Sequence, residues 1–297
     1  GPRIGHLIDR TGEKMLYSEK LKAFEAAHPC AYLTVDGASF RYVLSGQDGG
    51  RMLVLLNGGM NTLEMWMDYV EPLSKVCRVL LFDYPQELRT NQALVAGMHA
   101  FFAKLDIRSP IFVGASDGGM VAQIYVQRYP GETGGLLLIS TGGMDENTLK
   151  SQKRKYRLAP LMLWYMKHCN YEKLKPTLIK AGMSHIRNES AEEIAYAQDM
   201  FETIFKDYKQ EKDVHISGLL ADLMHQKPVT AADFAALEGK ILLILSDQDF
   251  FSGKMQEDLI RLMRSPKRSY VSGGHLSTVL RVDDYVRTIL DYLKTMQ

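Results

Sequence analysis

Residues 114–119 read Gly-Ala-Ser-Asp-Gly-Gly, between the apolar runs Ile111-Phe112-Val113 and Met120-Val121-Ala122. A serine set among glycines there has two readings. It can cap the helix that follows, because a hydroxyl satisfies a free N–H of the first turn. Alternatively, it is the exposed nucleophile of a tight strand-to-helix turn. In such a Gly-x-Ser-x-Gly turn the backbone is strained, and glycines leave room for it while the hydroxyl is lifted above the sheet. Gly114 and Gly118 would supply that room, and the N–H of Asp117 would point to where an oxyanion forms. The spacing does not match the Gly-x-Gly-x-x-Gly of a dinucleotide turn.

A nucleophilic hydroxyl needs a base, and the base needs a group to orient it. His275 stands in Gly273-Gly274-His275, after an apolar-alternating run and before the last helical stretch. The other histidines fall near the N-terminus, in expected helices or in the middle of the chain, without such a setting. For the acid, Asp247 and Asp249 both follow Ile241-Leu242-Leu243-Ile244-Leu245. Asp145, after the apolar run 135–140, is a third option.

Residues 12–27 suit an amphipathic helix with Leu16, Leu21 and Phe24 on its apolar side. Residues 31–35, the turn Asp36-Gly37, residues 39–46 and the run 51–59 then predict an antiparallel meander. The third of these runs is continuously apolar, as a strand covered on both faces should be. After it the period changes. Helices are expected over 62–76, 91–105, 118–130, 254–263 and 282–295, and strands over 79–85, 111–116, 135–140, 240–249 and 267–274. That alternation predicts an α/β protein with a mostly parallel, doubly wound sheet. Between 144 and 234 it stops, and a Met-, Tyr- and Lys-rich helical stretch takes its place.

Together these features resemble the α/β-hydrolase superfamily. The resemblance rests on the elbow GASDGG, the earlier LVLLNGG, the late LLILSDQD and the terminal GGHLS, in the order Ser, acid, His. It implies an α/β-hydrolase fold with an antiparallel N-terminal edge, a core of residues 31–143 and 235–297, a helical cap of residues 144–234, and an N-terminal helical extension, 1–30. It also implies a triad of Ser116, His275 and Asp249. Similar hydrolases read apolar strand, Gly, two residues, Asp, and Ser246 here takes the Gly place, which selects Asp249. Asn57-Gly58-Gly59-Met60 stands where the family has His-Gly-Gly or His-Gly-x, so Gly59, with Met60 as substitute, is expected to join Asp117 as an oxyanion donor. Two departures stand out. Asn57 replaces His, and the segment 83–90 is short and lacks glycine where relatives carry a Gly-rich loop.

The implied chemistry is acyl transfer to water, with no metal or organic cofactor. Its substrate is a small, apolar ester or related acyl compound, lined by Met60, Met120, Trp164 and Tyr165. A non-catalytic ligand receptor or protein-binding module on the same fold is one alternative. Another is a small-peptide or amide hydrolase, in which Glu189, Glu192 or Glu193 would hold an amine. Bulk composition adds exclusions. A net charge of +1 gives no basis for binding nucleic acid. No apolar run reaches the roughly 20 residues of a membrane span. Three cysteines, widely separated, form neither a disulfide framework nor a metal-ligand spacing, which points to the cytoplasm. The Gly1-Pro2 start reads as a remnant of tag removal, so a targeting segment could have preceded it. The expected partner is a small-molecule substrate, with a homodimer as an option.

Overall fold

In the computed structural model, which describes residues 15–186 and 189–296, the apolar runs become eight strands. They are β1 (Ala31–Val35), β2 (Ala38–Ser45), β3 (Met52–Leu56), β4 (Arg78–Phe82), β5 (Ile111–Ala115), β6 (Gly135–Ile139), β7 (Ile241–Ser246) and β8 (Lys267–Val271). They form one sheet in the order β1-β2-β4-β3-β5-β6-β7-β8. β1 with β2 and β2 with β4 are antiparallel, and the remaining pairs are parallel. The expected three-stranded meander is therefore corrected. Only β1 and β2 form a hairpin, and β3 lies deeper, between β4 and β5. The reason is burial: Leu53 to Leu56 are wholly apolar and need cover on both faces, which an edge hairpin cannot give. The strands also end sooner than expected, at Phe82, Ser246 and Val271, which frees the polar residues beyond them for the rim of the sheet.

Successive side chains of a strand point to opposite faces, so each face has its own core. Val54 and Leu56 pack with Leu94, Ile124 and Leu259, while Leu53 and Leu55 pack with Tyr17, Val70 and Ile289. The first set comes from α3 (Asn91–Lys104), α4 (Asp117–Arg128) and α10 (Lys254–Leu262). The second comes from α1 (Tyr17–Ala27), α2 (Met67–Ser74) and α12 (Val282–Thr295), with the short α11 (Ser277–Leu280) just before α12. α12 buries Tyr285, Val286, Ile289, Tyr292 and Leu293, the helical spacing of a single apolar stripe. The start of the expected helix 12–27, residues 12–14, lies outside the described residues.

Between β6 and β7 the described residues form five further α-helices: α5 (Glu146–Lys155), α6 (Ala159–His168), α7 (Tyr171–Met183), α8 (Ala191–Asp207) and α9 (Gln210–Leu223). α6 packs on α9, α7 on α8, and α8 on α1. Among the described residues, no helix is long and apolar enough to cross a membrane.

One cluster of charges ties the insertion to the sheet. Arg41 on β2 bonds Glu64 and, at 2.9 Å, Asp83 just past β4. Asp83 also accepts from the Leu63 N–H at 2.8 Å and faces Lys212 of α9 at 3.4 Å. Burial alone would raise the Glu64 carboxyl, but the hydrogen bond and charge of Arg41 outweigh it and hold Glu64 below its ordinary value. An Arg41→Met change should thus cost about 3 kcal/mol at pH 7, because Glu64 loses its cation and Asp83 keeps only the more distant Lys212. A carboxyl with a depressed native pKa contributes stability above its unfolded pKa and loses it as pH falls. Urea unfolding should therefore show the deficit shrinking below about pH 4.

Candidate active site

Ser116 joins β5 to α4 with φ 52° and ψ −121°, a backbone region that costs a side-chain-bearing residue roughly 1–3 kcal/mol. Its neighbours explain how the turn exists. A Cβ on Gly118 would lie 2.3 Å from the Leu56 carbonyl oxygen, and one on Gly114 would lie 2.6 Å from the Gly118 oxygen. Only hydrogen at both positions lets β3, β5 and α4 approach this closely. Ser116 occupies the N-cap place of α4, yet its hydroxyl caps nothing. The oxygen points instead at His275, 3.1 Å from Nε2. Thr141 steadies the turn by donating to the Ser116 carbonyl at 2.6 Å.

The imidazole is held from its other side. Nδ1 of His275 lies 3.0 and 3.2 Å from the two oxygens of Asp249. With Nδ1–H donated to a carboxylate, Nε2 is left as an acceptor for the serine hydroxyl. Asp249 is buried, which would raise its pKa. The hydrogen bond and charge of His275, helped by the Phe251 N–H, outweigh that and hold it below the ordinary value. Ser246 and Asp247 bind the base loop to the end of β7, Ser246 by donating to the Gly273 carbonyl and Asp247 by accepting from the Gly273 N–H at 3.3 Å. Asp145 is a helix cap, taking the N–H groups of Asn147 and Thr148, and so is removed as an alternative acid. Phe250 and Phe251, which the sequence reading passed over, lie against the imidazole with ring centres 4.3 and 5.8 Å away. Their place directly after Asp249 was the available signal.

Across the site, the Gly58-Gly59 turn sits beside the serine. A Cβ on Gly58 would lie 3.5 Å from Ser116 Cβ. As the first residue of α4, Asp117 has no carbonyl one turn back for its N–H. Asn57 holds the turn in place. Its side chain donates to the Phe82 carbonyl at 2.7 Å, and Tyr84 donates to the Asn57 carbonyl at 2.8 Å. Asn61 completes the tie by pairing with both backbone groups of Tyr84. Asn61 and Tyr84 were not singled out from sequence, because a hydrogen bond across 23 positions leaves no periodic trace.

These groups open into a cavity of about 480 Å³. Met60 and Met120 line it, as do Met162, Met224, Phe201 and Phe251. Trp164 and Tyr165 do not, which corrects their expected role. α6 turns Ala159 and Met162 toward the cavity and leaves Trp164 and Tyr165 about half exposed. The short segment 83–90 lies under α9, with the Leu88 carbonyl 2.9 Å from His215 Nε2 and the Asn91 N–H donating to Asp222 at 2.7 Å. Glu189 and Glu193 are taken up by Arg281, and Glu192 is exposed, so none of the three lines the cavity.

One carboxyl does line it. Asp117 turns its side chain against Gly59, where a Cβ would lie 3.1 Å from Oδ2. Burial raises this group to about 6, against the lowering pull of His275 and of its own N–H. A carboxyl raised in the native state contributes stability below its unfolded pKa, near 4, and loses it as pH rises through about 6. Asp117→Asn should therefore unfold at higher urea than the parent at pH 7, by no more than about 3 kcal/mol after screening at the open side of the cavity. At pH 4 the gain should vanish.

Comparison with known proteins agrees with this architecture. Residues 53–288 match the model of the alpha/beta hydrolase family. Proline iminopeptidase PfmaB of Pestalotiopsis fici is 26% identical over 144 residues, 43% of this chain and 51% of that protein. A monoacylglycerol lipase of Homo sapiens is 28% identical over 129 residues, 39% of this chain and 38% of that protein. The chain thus spans about half or less of the curated relatives it matches. Among solved structures, the enol-lactonase from Burkholderia xenovorans superposes with a TM-score of 0.72 at 18% identity, covering 89% of this chain and all of that one (100%). Naproxen esterase from Bacillus subtilis superposes with a TM-score of 0.62 at 14% identity, covering 98% and 100%. At these identities the structural likeness speaks to the fold. With the family model matching most of its length, the chain belongs to the alpha/beta hydrolase family.

Proposed function

We propose that this protein is a serine hydrolase that transfers the acyl group of a small ester, or a related acyl compound, to water. The observation that carries the reading is the 3.1 Å approach of Ser116 Oγ to His275 Nε2, made from a strained backbone. Strain at a site that caps nothing calls for a return elsewhere, and a reactive hydroxyl supplies one.

In this reading, His275 removes the hydroxyl proton as Ser116 attacks the carbonyl carbon, and Asp249 stabilises the imidazolium that forms. The N–H groups of Asp117 and Gly59 receive the oxyanion, each donor lowering the barrier by about 3 kcal/mol. His275 then protonates the leaving oxygen. Water, activated by the same imidazole, releases the acid. Helices α5–α9 act as a cap over the substrate, and the methionines and Phe201 favour an apolar portion of it. Enol-lactonase and esterase neighbours on the same fold, and a lipase among the relatives, are compatible with ester chemistry.

Ser116→Ala should lower the hydrolysis of p-nitrophenyl butyrate at least about a thousandfold. Its circular dichroism and melting profile should stay those of the parent. Retention of full activity in a folded variant would contradict the assignment.

A further inference from the structure

The carboxyl of Asp117 poses a problem for the chemistry just described. It lines the same cavity as Ser116 and His275 and lies against Gly59, on the side where the oxyanion must form. Among the described residues, no other residue's side chain or backbone N–H donates to it, and His275 is the one charge that bears on it. An ionised carboxyl beside a developing oxyanion opposes that oxyanion. A partly buried carboxylate whose one donor is its own N–H is itself costly. Both penalties vanish if the substrate brings a cation to this spot.

Chain geometry says which cation fits. The acyl carbonyl carbon sits at Ser116, with its oxygen toward the N–H groups of Asp117 and Gly59. A group on the carbon next to the carbonyl that eclipses this oxygen falls on the oxygen's side, the side on which the Asp117 carboxyl lies against Gly59. An ammonium there would donate to the carboxylate and screen it from the oxyanion.

Resting on the serine-hydrolase reading, we propose that Asp117 is a specificity-determining residue whose side chain recognises an ammonium on the α-carbon of the acyl group, so that the preferred substrates are α-aminoacyl esters. The apolar cavity then takes the alcohol portion or the amino-acid side chain. The acid that an amine-binding site requires thus sits at the elbow, and not on the insertion, where Arg281 engages Glu189 and Glu193. The stability that Asp117 costs above pH 6 is consistent with a residue retained for its charge.

The test uses three p-nitrophenyl esters at pH 7, of L-alanine, of N-acetyl-L-alanine and of propionic acid. At that pH the carboxyl is ionised and the α-amino group is largely protonated. In the parent protein, kcat/KM for the alanine ester should exceed that for either neutral ester by more than their uncatalysed reactivities differ. In Asp117→Asn that alanine-to-propionate ratio should fall at least about tenfold, the scale of one charge-assisted hydrogen bond. Asp117→Glu should recover part of it. If the ratio is the same in parent and Asp117→Asn, or if the parent favours the propionate ester, the inference is overturned while the serine-hydrolase reading stands. If the parent hydrolyses none of the three, that reading falls and this inference with it.

Discussion

The close approach of three backbone segments at the elbow is the constraint on which the rest depends. Gly118 must come against the Leu56 carbonyl, and Gly114 against Gly118, for α4 to start where it does. Any side chain at either position would push the segments apart. The same approach forces Ser116 into its φ 52° conformation, brings the Gly58-Gly59 turn beside it, and leaves the Asp117 N–H without a partner one turn back. The sheet supports this by placing β3 and β5 side by side, both apolar and both covered on two faces. Packing energy from the two cores offsets the local strain, which is small beside it.

Around that turn the structure distributes its polar groups economically. Asn57, Asn61 and Tyr84 fix one wall, and Ser246, Asp247 and Gly273 fix the other. Each tie joins the end of one strand to the loop of another, so the imidazole and the Gly58-Gly59 turn are both set by the sheet. The insertion is anchored separately, through Lys212 and Asp222 of α9 and through Arg281 to Glu189.

Much of this was legible in the residues. Apolar run lengths located each strand to within a few positions, and the helix 282–295 was read to its last residue because its stripe is clean. The elbow, His275 and Asp249 were legible because glycine placement and strand ends are local signals. What is not local was lost. Pairing order does not appear in periodicity, so β3 was placed beside β2 when β4 lies between them. Helix α6 is apolar around most of its circumference, so its sequence does not separate the inward face from the outward one, and the expectation that Trp164 and Tyr165 line the cavity fails. Asp117 was read for its N–H alone. That its carboxyl would bend back toward Gly59 depends on a turn 58 positions earlier in the chain, which no spacing rule connects to it.

In the proposed function the hydroxyl of Ser116 is made reactive by the imidazole of His275. The most direct measurement is covalent labelling with a fluorophosphonate followed by peptide mapping. One phosphonylated residue, Ser116, is expected, with labelling lost in a folded His275→Ala variant. Labelling elsewhere, or unchanged labelling of Ser116 without the imidazole, would contradict it.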